Sequence, residues 1–172
     1  KTGGRPIYLA FVTDIFCKNQ IKLPKVESPE DFKTELRTNV MGLNENVSTA
    51  LLSLGLARKG VTRELFRRLM KAHEGWDAKE ADDTLDELCT FSYAKPILDE
   101  NEEDENKKLV RMFIHDELYD AIGERILAQK STEAIAELCQ PILEYYNEQI
   151  ADLDKELDAL ADKISSRDKF SE

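Results

Sequence analysis

Imidazole and thiol are scarce in this 172-residue chain, whose only histidines are His73 and His115 and whose only cysteines are Cys17, Cys89 and Cys139. No cysteine belongs to a C-x-x-C pair, and neither histidine has a Cys, His or Glu at metal-ligand spacing, so the common metal signatures are absent. The cysteines fall inside apolar or helical stretches, a usage that implies buried thiols in a reduced, cytoplasmic setting. There is no G-x-x-x-x-G-K-S/T run, so nothing here cradles a triphosphate by itself. A G-x-S-x-G elbow and an arguable cysteine-histidine pair are also missing. Carboxylates are plentiful but patterned onto solvent faces, and catalysis within these residues is not expected. No stretch approaches the roughly 20 apolar residues of a membrane span, so no membrane partner is expected. The chain opens on Lys1 and not on methionine, and is read as a soluble piece of something longer.

What is present is acid. The net charge of -11 is uneven: residues 1–60 hold nine Lys/Arg against six Asp/Glu, and the remainder holds fifteen against twenty-nine. A chain of this sign repels phosphate backbones unless a local basic patch overrides the field.

Apolar residues recur at helical spacing along most of the length. Residues 6–17 carry Ile7, Leu9, Phe11, Val12, Ile15 and Phe16 and are apolar nearly all round, which suits a helix inside a bundle. Ser28-Pro29-Glu30-Asp31 starts another, with a capping hydroxyl, proline in the first turn and early acids; Phe32, Leu36 and Val40 form its inner face and Gly42 ends it. Between residues 44 and 91 three helical patterns follow closely. The first carries Val47, Leu51 and Leu54, the second starts after Thr62 and closes at Gly75, and the third starts at Asp77 and carries Ala81, Leu85 and Leu88. The period then changes: residues 95–98 and 109–114 are short β-like runs around an acidic stretch, 99–106, too polar to fold alone. Three helices and a hairpin is the winged-helix order.

The predicted fold class is therefore mainly α: a helical-bundle segment (1–42), a winged-helix domain (43–128), and long C-terminal helices (129–172). In the last region Ser131-Thr132-Glu133 starts a helix that Pro141 is expected to bend. Tyr146, Ile150, Leu153, Leu157, Leu160 and Ile164 then advance by four and three, a heptad-like seam expected to pack on a neighbouring helix of the same chain.

Ile114-His115-Asp116 stands where the second β-like run gives way to the helical pattern of Leu118, Ile122 and Ile126. A strand that ends on His-Asp and becomes a helix sets a titratable ring and a carboxylate beside a positive helix end, where a phosphate can be read; a structural hydrogen-bonding histidine is the plainer alternative. A winged helix also raises DNA reading by its third helix. That helix has Asp77, Glu80, Asp82, Asp83, Asp86 and Glu87 against Lys79 alone, which argues against phosphate contact. Arg58, Lys59, Arg63, Arg67, Arg68 and Lys71 form the rival basic patch, able to hold nucleic acid, to pair with the acidic third helix or to meet a neighbouring domain.

Gly4-Arg5-Pro6-Ile7 at the head of an apolar helix, followed at the right distance by a winged-helix pattern ending on Ile114-His115-Asp116, resembles the STAND class of signal-transduction NTPases, which includes the NB-ARC proteins. There a Gly-x-Pro motif lies in the helical domain after the nucleotide-binding core and a Met-His-Asp motif closes the winged helix. The resemblance covers residues 1 to about 128. It implies that Pro6 lies against the adenine of a bound nucleotide, that His115 donates a hydrogen bond to the β-phosphate of ADP, and that Asp116 caps the helix. It places ADP or ATP with Mg in the parent protein, an ATPase, and no cofactor in this fragment. The implied partners are an upstream P-loop domain and a downstream helical sensor or repeat region of the same chain. The chain departs from the family pattern in having Ile114 for methionine and no phosphate loop or Walker-B strand. The rival readings are a winged-helix transcriptional regulator using the basic patch and a helical protein-interaction module using the seam.

Overall fold

A computed structural model describes residues 45–99 and 108–168, with Ala10 and Thr13. The two N-terminal helical patterns, the Gly-x-Pro stretch with Pro6, and most of the acidic hairpin tip lie outside the described residues.

Within them the chain is mainly helical, with one small antiparallel sheet and a long C-terminal helix. The order is α1 (Glu45–Leu56), α2 (Arg63–Glu74), α3 (Ala78–Cys89), β1 (Ala94–Leu98), β2 (Leu109–Ile114), α4 (Asp116–Gln129) and α5 (Thr132–Asp168). These boundaries follow local chemistry. Thr62 is the N-cap of α2, its side chain accepting from the Leu65 N–H, and Gly75 closes the helix with its N–H on the Lys71 carbonyl. Asp77 caps α3 by accepting from the Glu80 N–H. At the start of α5 the Ser131 hydroxyl accepts from the Ala134 N–H.

The core is built from the predicted apolar positions. Val47, Leu51 and Leu54 of α1, Leu65, Phe66, Leu69 and Met70 of α2, and Ala81, Leu85 and Leu88 of α3 are buried against Met112 and Ile114 of β2 and Leu118, Ile122 and Ile126 of α4. Close approach needs glycine at one point: a Cβ on Gly55 would run into the Ile122 side chain, which packs there directly on the α1 backbone.

The hairpin pairs Ala94 with Ile114 and Leu98 with Leu109, with an irregularity between Ile97 and Leu98. Asp99 N–H on the Lys108 carbonyl closes it at the edge of the described residues. On its other side β2 is joined by Val61, whose N–H and carbonyl both pair with Met112 at 2.8 Å. This bridge completes the winged-helix sheet, and it is too short to show a period in the sequence. Gly60 leads into it at φ 75°, a conformation that L side chains rarely adopt.

Helix α5 continues through Pro141. Its first half docks on the body, with Ile135, Ile142 and Tyr146 packed on the core and Tyr145 buried. Beyond Tyr146 the described side chains are exposed. The expected packing of the seam on a neighbouring helix of the chain is not found: Ile150, Leu153, Leu157, Leu160 and Ile164 are 54 to 63 % exposed. Among the described residues, no helix lies alongside this part of α5 to cover it. No described helix is long and apolar enough to cross a membrane.

Candidate functional site

The junction of β2 and α4 is held from three sides. The His115 N–H donates to the Tyr93 carbonyl at 2.8 Å, fixing the chain where the hairpin ends. The His115 carbonyl accepts from the Leu118 and Tyr119 N–H groups and so begins α4. His115 itself, and not Asp116, therefore stands at the cap position; Asp116 is the first helical residue and is exposed, where a carboxylate favours the positive helix end. The reason is one of register: β2 extends to Ile114, so a single residue separates strand from helix.

Tyr119 supports the junction from beneath. Its hydroxyl accepts from the Ile114 N–H and donates to the Ala57 carbonyl, both at 3.4 Å. Burial pushes the phenol up from its ordinary value, so it stays a neutral donor. Arg58 lies over the Tyr119 ring at 5.9 Å and pairs with Asp120 at 2.9 Å. Around these groups is a cleft of about 300 Å³ lined by Arg58, Lys95, Phe113, Ile114, Asp116, Tyr119 and Asp120. Two cations and two carboxylates share its wall. Ile114 and Asp116, which flank His115 in the chain, are both part of it. Arg58 thus belongs to the His-Asp junction, apart from the other arginines of the predicted basic patch.

The other three arginines of the patch are taken up by acids. Arg67 makes a two-pronged contact with Asp82, at 2.8 and 2.6 Å. Arg63 reaches Asp86 at 2.6 Å and Asp82 at 3.3 Å. The guanidiniums of Arg67 and Arg63 hold the Asp82 carboxyl below the usual carboxylate range. Arg68 turns the other way, to Glu64 at 2.8 Å and to Glu148 of α5 at 2.6 Å, and lies over the Tyr145 ring. Lys59 and Lys71 are exposed. Of the three roles open to the patch, pairing with the acidic third helix is the one present for Arg63 and Arg67. A duplex would have to compete with these carboxylates for the same guanidiniums.

The second histidine has no place in the cleft. His73 is half-buried between α1, α2 and α5: Nδ1 is 2.8 Å from the Ser53 hydroxyl and Nε2 is 2.9 Å from the Leu138 carbonyl. A carbonyl only accepts, so Nε2 carries the proton and Nδ1 accepts from Ser53. Spacing in the sequence gave no sign of this staple, because its members come from three separate helices. Among the described residues no three His, Cys, Asp or Glu side chains converge to hold a metal ion. Cys89 and Cys139 are half-buried free thiols, and burial pushes the Cys89 thiol up, away from nucleophilic use.

No family model, curated protein or solved structure matches this chain.

Proposed function

We propose that these residues form the regulatory, non-catalytic portion of a STAND-type ATPase, coupling ADP or ATP state to a rearrangement of domains in signalling. The observation that carries the reading is the placement of His115: the cap residue between the last strand of a winged helix and the following helix, backbone-tied to Tyr93, with its neighbours lining a cleft that holds Arg58 and Lys95. A histidine there offers an N–H to a phosphate oxygen without a fixed charge, and the helix end adds to the attraction. The nucleotide would be held chiefly by a phosphate-loop core supplied from outside these residues, with Pro6 against the adenine; the cleft is the surface of this chain that turns toward it. Arg58 and Lys95 compensate the phosphate charge, and Asp116 and Asp120 keep the cleft from being a strong anion trap when the core is absent.

The mechanism is a two-state one. A bond from His115 to ADP that exists only in the closed arrangement stabilises that arrangement by its own free energy, and removing it shifts the population toward the open form. One hydrogen bond to a charged oxygen is worth about 1.5–3 kcal/mol. In a polypeptide joining a phosphate-loop core to this segment, His115→Ala is therefore expected to weaken ADP binding roughly 10- to 100-fold by titration. Unchanged ADP affinity in that variant would remove the assignment.

A further inference from the structure

The exposed face of α5 is longer than the sequence period alone indicates. Leu143 is 57 % exposed and lies one heptad before Ile150, so the exposed seam runs through Leu143, Ile150, Leu153, Leu157, Leu160 and Ile164, with Tyr146 in the same register but half-buried against the core. In heptad terms the a positions are Leu143, Ile150, Leu157 and Ile164, and the d positions are Tyr146, Leu153 and Leu160. The isoleucines at a, Ile150 and Ile164, with Leu153 and Leu160 at d, follow the pattern that favours two-stranded parallel coiled coils. At 1.5 Å per residue the seam is about 32 Å long, most of it standing clear of the body.

We propose that this face binds the same face of a second copy of the chain, as a parallel, in-register two-helix pair. Charge selects the orientation. In a parallel pair each g position faces the e position five residues on in the other helix: Gln149 meets Asp154 and Glu156 meets Ala161, so neither contact joins like charges. The antiparallel pair that keeps the layers from Tyr146 against Ile164 inward leaves Leu143 without an apolar partner and centres Glu156 on Glu156 and Asp154 on Asp154 of the other copy. Those contacts repel.

The body allows the parallel arrangement. Ile142 and Tyr145, which dock α5 on the core, lie roughly a fifth to a third of a turn round the helix from the seam's midline, and Tyr146 is shared between the two faces. A two-fold axis parallel to the helices then sets the two bodies on opposite sides of the pair. Docking also pre-orders the first half of α5 through Thr62, His73 and Arg68, so the pair need not form its helices from coil. The inference is independent of the nucleotide reading and survives its failure.

The test is sedimentation equilibrium of the chain from micromolar to millimolar concentration. The mass is expected to rise from 19.7 kDa toward twice that value, and Leu157→Glu, at an exposed position, to stay at 19.7 kDa with an unchanged helical signal and unfolding transition. A wild-type chain that remains at 19.7 kDa to millimolar concentration, or passes to three or more copies, overturns the proposal; the first leaves the face to a different partner. Equal association by Leu157→Glu overturns it as well. For orientation, Glu156→Lys is mixed with the wild type: a parallel pair predicts an affinity within about threefold of the unmixed chains, whereas a larger gain on mixing marks the antiparallel pair and overturns the parallel one.

Discussion

His73 shows how a single ring can set a pH limit on a fold. Burial lowers its pKa from the ordinary value, against the opposing pull of the Leu138 carbonyl and of Glu74, while Lys130 adds to the lowering. The unfolded chain, at about 6.5, then takes up its proton first as pH falls. The ring's contribution to stability is thus fully present above about pH 6.5 and is lost as pH drops through the lower folded-state value. Unfolding free energies measured from pH 7.5 down to about 5 are expected to fall more steeply for the wild type than for His73→Gln, which cannot titrate there. Parallel curves would show that the ring does not titrate with folding. Gly55 is the complementary case of a residue defined by what it lacks. With Ile122 where a Cβ would go, Gly55→Ala is expected to cost about 1–3 kcal/mol in chemical denaturation despite its better helix propensity.

At the scale of elements the decisive pairings are α2 with α3 and α2 with α5. Thr62 serves both ends of the second, since its hydroxyl caps α2 and meets the Tyr145 hydroxyl at 3.0 Å. Thr62→Ala is expected to cost about 1–2 kcal/mol, and Thr62→Ser much less, because the loss belongs to the oxygen and not to the methyl group. The first pairing bears on nucleic acid. With Arg63 and Arg67 on Asp82 and Asp86, mixed duplex DNA should give no saturable binding tighter than about 100 µM at physiological salt by anisotropy, and no steep salt slope. Micromolar binding with a steep slope would restore the transcriptional-regulator reading. The three helices of the body were legible because caps and apolar spacing agree there: Thr62 with Leu65, Phe66 and Leu69, then Asp77 with Ala81, Leu85 and Leu88. The hairpin was legible from its change of period. Val61 on Met112, His73 on Leu138 and the choice of partners by the arginines were not, because each joins residues far apart in the chain and no local pattern encodes them. The seam's period was legible, but whether another part of the chain covers it depends on where α5 leaves the body.

For the whole molecule, a winged helix in which Asp82 and Asp86 of the acidic third helix pair with its own arginines, and whose sheet ends on a histidine cap beside a mixed-charge cleft, suits the proposed module that responds to a nucleotide held elsewhere. Pro6 and the Gly-x-Pro stretch would complete the reading from the N-terminal side, and α5 would carry the response away from it. In the proposed function, His115 links bound ADP to domain closure. The most direct measurement is small-angle scattering of a polypeptide that joins a phosphate-loop core to this segment, with and without saturating ADP, for the wild type and for His115→Ala. ADP is expected to reduce the radius of gyration of the wild type and to leave the variant extended even when its site is filled; equal compaction of both proteins by ADP would contradict the account.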